Sequence, residues 1–94
     1  MKMEYLKVEW KHESDEYPVV MYSEIDDERM EIRKVEVFRN GTVGSAEKSR
    51  SSGKTELGIV AVPSVDEIAS EPEFVPFAIS KNEFEKVWNE YVVH

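Results

Sequence analysis

The chain has no cysteine, only two histidines, and no apolar run near the ~20 residues that cross a bilayer. The absence of cysteine excludes a disulfide framework, thiolate catalysis and cysteine-based zinc sites. The amino-terminal residues carry an acid and no apolar stretch, so we expect no secretory signal, no membrane insertion and a cytoplasmic location. With 94 residues, of which 40% are hydrophobic, the chain predicts a single domain over residues 1–94.

Basic residues are also scarce, because 12 lysines and arginines stand against 20 aspartates and glutamates, for a net charge of -8. Domains that bind nucleic acid are usually basic, so this balance argues against such a partner. The charge is uneven, since residues 12–31 hold eight acids and one base, whereas residues 32–54 hold six bases and two acids. The basic loop over residues 44–55 could pair with the acidic segment of another copy, so we expect a monomer or a weak homodimer.

Short β-type segments dominate the chain and predict an antiparallel sheet. The apolar pattern changes phase near Arg33-Lys34, which predicts a β-bulge. Asn40-Gly41 predicts a hairpin with a type I′ turn, and Pro76 places the last segment at the edge of the sheet. The predicted strands span 3–11, 19–25, 29–39, 57–62 and 74–79, with a flexible basic loop over 44–55.

Two predicted helices begin at capping boxes, in which a serine and a glutamate three residues later bond to each other's backbone amides. The first box, Ser64 to Glu67, predicts a helix of one to two turns. The second, Ser80 to Glu83, precedes an amphipathic helix with an apolar stripe at i, i+3, i+4 and i+7. We therefore predict an α+β fold, an antiparallel sheet of four to five strands with the C-terminal amphipathic helix packed on one face. The stripe consists of Phe84, Val87, Trp88 and Tyr91, and Trp10 is expected to join the core.

Motifs for catalysis and metal binding are weak in this sequence. Asp26-Asp27-Glu28 is rich in oxygen but lacks the spacing of a calcium loop. Gly53-Lys54-Thr55 resembles the end of a phosphate-binding loop, but a lysine stands where that motif requires its first glycine. His12 is the one internal imidazole, and its acidic surroundings favour the charged form. We therefore expect no enzyme activity, no metal and no cofactor.

Acidic residues with neighbouring tyrosines favour protein binding. A cluster of acids suits a basic partner, whose association it accelerates, and tyrosine is enriched at the centres of interfaces. Two plainer interpretations stay open: the acids serve solubility alone, and the tyrosines line the edge of the core. The candidate partner-binding residues are Asp15, Glu16, Tyr17, Tyr22, Glu24, Asp26, Asp27 and Glu28.

Several segments together resemble a family of small bacterial domains of unknown function. The resemblance covers almost the whole chain and is carried by residues 5–12, 22–26, 31–41, 57–58 and 84–88, which include the Glu-Ile-Arg-Lys-Val-Glu stretch of 31–36. Such a resemblance implies one stand-alone domain with no assigned catalytic residues. Some members of the family resemble immunity proteins of bacterial toxin systems, which implies a protein partner.

Two functions of different classes follow. The first is an immunity protein that binds and neutralises a cognate bacterial toxin. A nuclease is the expected toxin, since nucleases carry basic clefts that an acidic surface can fill. The alternative is a small non-catalytic protein-binding or regulatory module with an unknown partner. Co-purification with the product of the adjacent gene separates the two.

Overall fold

The computed structural model describes residues 2–48, 50–52 and 55–92, with the backbone alone for 50–52. These residues form one six-stranded antiparallel sheet and two helices. The elements are β1 (Glu4–Trp10), β2 (Val20–Ile25), β3 (Glu31–Val37), β4 (Val43–Glu47), β5 (Arg50–Ser52), α1 (Val65–Ala69), β6 (Phe74–Ala78) and α2 (Lys81–Tyr91). The strand order is β5-β4-β3-β2-β1-β6, so the chain crosses the sheet by successive connections and returns to pair β6 with β1.

Helix α2 packs on one face of the sheet, which confirms the predicted α+β fold. Its Phe84 and Trp88 are buried against Tyr5 and Val35, and the ring centres of Tyr5 and Phe84 lie 5.5 Å apart. The expected burial of Tyr91 is wrong, since this residue is 39% exposed. Phe84, Trp88 and Val92, which pack in the core, follow one another at intervals of four residues. Tyr91 lies to one side of this line.

Both predicted capping boxes are present. The Ser64 side chain accepts from the Glu67 amide at the start of α1, and the Ser80 side chain accepts from the Glu83 amide at the start of α2. In each box the glutamate side chain accepts from the serine amide in return. The boxes place both helix starts correctly from sequence because they satisfy amides that the helix itself leaves without partners.

The second face of the sheet is covered by residues 55–63 and α1. The apolar run 57–62 was predicted to be a strand, and this prediction is wrong. Isolated hydrogen bonds hold the run: the Gly58 amide donates to Glu31 Oε1 over 2.5 Å, and the Val62 amide donates to the Arg29 carbonyl over 2.7 Å. The partner of Gly58 is a side chain, and the partner of Val62 is a backbone carbonyl in the turn between β2 and β3. The run therefore pairs with no described strand and forms no ladder of backbone hydrogen bonds.

Residues 44–55 were predicted to be a flexible loop, but they contain most of β4 and all of β5. Strand β4 pairs with β3 from Val37 opposite Val43 to Arg33 opposite Glu47. The preceding hairpin brings the small residues of β4 beside β3, and backbone pairing then overrides their low strand propensity. Positions 49, 53 and 54, and with them most of the Gly53-Lys54-Thr55 motif, lie outside the described residues, as does His94.

The predicted phase change in β3 is confirmed, just before the expected position. Glu24 of β2 pairs with Arg33 of β3, but the next residue of β2, Ile25, pairs with Glu31. Ile32 is therefore the extra residue of a β-bulge. Without the bulge, Glu31 and Lys34 would point to opposite faces of the sheet. With it they share the second face, where Glu31 Oε1 and Lys34 Nζ lie 3.0 Å apart.

The hairpin between β3 and β4 lies at Asn40-Gly41, as predicted, but its turn is not type I′. The Phe38 amide donates to the Thr42 carbonyl over 2.9 Å, which closes a loop of three residues. Gly41 has a φ of 89°, whereas Asn40 lacks the positive φ that a type I′ turn requires. The turn therefore needs one left-handed residue, and glycine supplies it without steric cost.

Strand β6 is an edge strand, as Pro76 predicted. The Lys11 amide donates to the Glu73 carbonyl over 2.8 Å, and the Ile79 amide donates to the Tyr5 carbonyl over 3.0 Å. The odd-numbered residues of β6 therefore direct their amides toward β1, and the even-numbered ones face away. Pro76 has no N–H at the middle of this outer edge, so it removes a donor with which another strand could pair.

Candidate protein-interaction site

The structure divides the predicted acidic residues between the two ends of the sheet. The loop of residues 13–17 connects β1 to β2 at one end, and the turn of residues 26–28 connects β2 to β3 at the other. The six residues of β2 lie between them, which at about 3.3 Å per residue is a separation of roughly 20 Å. The eight candidate residues therefore do not form one contiguous surface, because successive antiparallel strands place their connections at opposite ends.

Two of the candidates, Tyr22 and Glu24, lie under α2. Glu24 is 7% exposed, and Tyr22 packs against the main core. Arg33 Nε and Nη2 donate to the two Glu24 oxygens over 2.7 and 2.9 Å, and Nη1 and Nη2 donate to Glu85 over 3.1 and 2.8 Å. The prediction that Glu24 binds a partner is therefore wrong, because strand alternation places it on the face that α2 covers.

The Glu24–Arg33–Glu85 network joins α2 to the sheet. Hydrogen bonds to Glu24 raise the pKa of the Arg33 guanidinium, and the hydrogen bond from Arg33 lowers the pKa of Glu85. Burial, and then the hydrogen bond to Glu24, raises the pKa of the Tyr5 hydroxyl. The guanidinium also lies 4.9 Å from the ring centres of both buried aromatic residues of α2, at cation–π distance.

The lowered pKa of Glu85 predicts a loss of stability in acid. The folded-state pKa lies below the ordinary value of 4.5, so the unfolded chain binds this proton first as the pH falls. The contribution of Glu85 is complete above pH 4.5 and is lost as the pH falls through the folded-state pKa. Urea unfolding of the native chain and Glu85→Gln across this window should show a shallower pH dependence for the variant. Parallel curves would contradict the assignment.

At the first end of the sheet, an aromatic cluster lies beside the acidic loop. The Trp10 ring centre lies 4.6 Å from that of His12 and 5.5 Å from that of Tyr17, which is 53% exposed. Trp10 was expected in the core, but it is only half-buried, and its Nε1 donates to Glu73 Oε2 over 3.2 Å. The reason is that Trp10 lies on the sheet face opposite α2.

Arg39 weakens the negative field of the acidic loop. Its guanidinium donates to the backbone carbonyls of His12 and Glu13, the latter over 2.8 Å. Its Nη1 also lies 3.6 Å from Asp15 Oδ1. Asp15 and Glu16 are exposed, yet the Arg39 guanidinium lies against their loop. This end of the molecule therefore attracts a basic partner less strongly than its acids alone would indicate.

At the second end, the three acids of the turn have different roles. Asp26 Oδ1 accepts from the amides of Glu28 and Met30, both over 2.9 Å, so this carboxylate builds the turn. The Asp27 and Glu28 side chains are exposed and form no hydrogen bond or ion pair within the described part of the chain. Asp27 and Glu28, which we call the acidic pair, are therefore available to a partner.

Arg29 follows the acidic pair and holds the loop of residues 58–63. Its φ of 64° is the one positive value at a non-glycine position in the residues described, and this conformation costs free energy. Its Nε and Nη2 donate to the Val62 and Pro63 carbonyls, each over 2.8 Å. Its Nη1 donates to Glu4 Oε2 over 3.0 Å. One strained residue thus connects the acidic turn, the loop and β1.

The loop presents two aliphatic side chains to solvent between its anchors. Ile59 is 92% exposed and Val60 is 73% exposed, and we call this pair the apolar tip. Gly58 holds one side of the tip through Glu31, and Val62 holds the other through Arg29. Adjacent exposed aliphatic residues on an anchored loop, with acids at the same end of the sheet, are typical of an interaction site.

Residues 4–93 match the family described as a domain of unknown function, DUF6881. The chain belongs to this family. The match confirms the resemblance to a small family of unknown function that covers almost the whole chain. No curated protein and no solved structure is significantly similar to the chain. The surface of this DUF6881 domain is therefore the guide to its function.

The apolar tip is the part of the DUF6881 site that sequence reasoning missed. The run 57–62 was predicted to be a strand because apolar character alone does not distinguish a strand from an exposed loop. Gly58 within the run and Pro63 directly after it were the available signals for a loop. A Cβ at position 58 would lie 3.1 Å from Glu31 Oε1, so glycine permits the close approach that anchors the tip.

Over residues 2–48 and 55–92, no group of three or more histidine, aspartate or glutamate side chains is placed to hold a metal ion. No helix in the described part of the chain is long and apolar enough to span a bilayer.

Proposed function

We propose that this chain is an immunity protein that binds a cognate toxin domain through the apolar tip and the acidic pair. The observation that carries the proposal is the exposure of Ile59 and Val60 on a loop that Arg29 holds in place. Exposed aliphatic side chains add nothing to the stability of the isolated chain, whereas burial against a partner contributes about 1.5–3 kcal/mol each. The tip therefore suits the anchor of an interface.

The surrounding charge specifies the kind of partner. Asp27 and Glu28 lie at the same end of the sheet as the apolar tip, directly before Arg29 in the chain. A surface that complements them has an apolar cleft with lysines and arginines at its rim. Nuclease toxins hold phosphates with basic clefts, so a domain of that class supplies the lysines and arginines. The exposed acids of residues 13–17 add attraction at longer range, reduced by Arg39.

Co-expression with the product of the adjacent gene tests this function. We expect the two proteins to co-purify, to bind with a nanomolar Kd that weakens as salt rises, and to leave the toxin inactive. An affinity that does not change with salt would reject the electrostatic part of the proposal. Stable capture of a partner without toxic activity would reject the immunity function in favour of a non-catalytic regulatory module.

Neutralising the acidic pair is expected to slow association with the toxin. The Asp27→Asn/Glu28→Gln variant should lower the association rate about tenfold, because it removes charge at the contact itself. The matched control Glu13→Gln/Glu16→Gln removes the same charge at the other end of the sheet and should lower it about twofold. Surface plasmon resonance at two salt concentrations measures both rates. Equal effects of the two variants would contradict an interface at the apolar tip.

A further inference from the structure

A cavity of about 520 Å³ lies between the second sheet face and α1. Its apolar lining residues are Val8 and Met21 from the sheet, Val62 and Pro63 from the loop before α1, Ile68 from α1 and Phe74 at the start of β6. Glu31, Glu67 and Glu71 also line it. The function proposed above does not use this cavity, which lies inside the layer formed by α1 and not at the apolar tip.

The size of the cavity is that of a binding site. The cavity is open to solvent, and Glu67 and Glu71 in its lining are exposed. Val8 and Met21 remain only half-buried, and no residue of α1 is buried. Helix α1 therefore covers the sheet without filling the space beneath it. Small-molecule sites have volumes of about 300–1,000 Å³ and mostly apolar walls, and the cavity meets both conditions.

The charges that line the cavity favour a cation. Lys34 is the one base in the lining, and its Nζ lies 3.0 Å from Glu31 Oε1, so these two charges compensate each other. Glu67 Oε1 accepts from the Ser64 hydroxyl over 3.1 Å in the capping box of α1. The exposed Glu71 carboxylate forms no hydrogen bond or ion pair with any described residue. Glu67 and Glu71, neither of which forms an ion pair with a described residue, therefore line the apolar cavity from the side of α1.

We propose that this cavity binds a small amphipathic cation, which is an apolar body that carries one amine or guanidinium group. The apolar body packs against Val8, Met21 and Phe74, and the cationic group lies beside Glu67 and Glu71. A ligand of the same shape with a carboxylate is repelled by the same two side chains. The proposal concerns a different class of ligand from the immunity function, although Glu31, Val62 and Pro63, which take part in anchoring the loop of the apolar tip, also line the cavity.

Three probes with one apolar body test the proposal: phenylbutylamine, phenylbutanol and phenylbutyrate. Each is titrated into isotope-labelled protein and followed by the NMR shifts of backbone amides. We expect shifts at Val8, Met21 and Phe74. The Kd for the amine should be about tenfold lower than that for the butyrate, because the amine places an opposite charge near the glutamates and the butyrate a like charge. Equal affinities for amine and butyrate would overturn the proposal.

Substitution of Glu71 tests the source of the charge preference. Glu71→Gln should weaken binding of the amine about threefold, the size of one partly exposed ion pair, and leave the alcohol unchanged. The matched control Glu90→Gln removes the same charge from α2 and should change neither Kd. An unchanged amine affinity in Glu71→Gln, or shifts confined to residues outside the cavity, would overturn the site. No toxin enters this experiment, so its failure is distinct from failure of the immunity proposal.

Discussion

Replacement of Arg33 by methionine is expected to lower the free energy of unfolding by about 3–5 kcal/mol. Arg33 supplies the charged partner of Glu24, which is only 7% exposed, so solvent replaces few of the lost hydrogen bonds. The guanidinium also packs on Phe84 and Trp88, so the contact between α2 and the sheet weakens at the same time. Small domains have net stabilities of about 5–15 kcal/mol, so this variant lies close to unfolding.

A second variant separates the buried charge from the lost packing. Arg33→Met/Glu24→Gln removes the uncompensated carboxylate and keeps an acceptor for the Tyr5 hydroxyl. We expect it to recover most of the lost stability, because replacing both members of a buried ion pair is often nearly neutral. Urea unfolding followed by circular dichroism measures all three proteins. Native-like stability of Arg33→Met, or no recovery in the double variant, would show that the network does not hold α2 on the sheet.

Removal of the apolar tip is expected to abolish most of the affinity for the toxin. The Ile59→Ser/Val60→Ser variant keeps the Cβ of each side chain and so forfeits about 2–4 of the roughly 3–6 kcal/mol that burial of the pair contributes, which corresponds to a Kd roughly thirty- to a thousandfold higher. The free energy of unfolding should stay within about 0.5 kcal/mol of the native value, because both side chains are exposed in the isolated chain. Calorimetric titration against the toxin and urea unfolding measure the two quantities.

The opposite end of the sheet provides a matched control for the tip. Tyr17→Ser removes another exposed apolar side chain, 53% exposed, from the region where sequence reasoning also placed the interface. We expect it to change the Kd by less than about threefold, the range of an ordinary surface substitution. A large effect of Tyr17→Ser with a small effect at the tip would move the interface to the acidic loop. A large fall in stability on removing the tip would show that Ile59 and Val60 serve folding.

Elements defined by local signals were predicted from sequence. The start of α2 follows from the Ser80 capping box, and the burial of Phe84 and Trp88 follows from helical periodicity. The edge position of β6 follows from Pro76, because proline cannot donate a ladder hydrogen bond. The phase change that becomes the bulge at Ile32 was visible as a break in alternation. Each of these signals acts within a few residues of the chain, so no knowledge of distant contacts was needed.

The candidate site was predicted only in part. Asp27 and Glu28 were found by their charge, and the structure leaves both exposed. Glu24 has the same chemical character, yet α2 covers it and Arg33 binds it. The apolar tip was assigned to a strand, whereas it lies on a loop in which Ile59 is 92% exposed. In each case a distant segment decides exposure, and composition or alternation gives no information about where that segment lies.

The sequence by itself determined the fold class, the helix starts, the hairpin position and the acidic balance of the surface. These properties depend on backbone preferences and on hydrophobic periods that are complete within one element. The tertiary structure alone decided which carboxylates are buried, how the acids divide between two ends of the sheet, and that residues 55–63 form an anchored cover in place of a strand. Such outcomes depend on which face each distant segment covers, and burial changes the free energy of the same side chain by several kcal/mol.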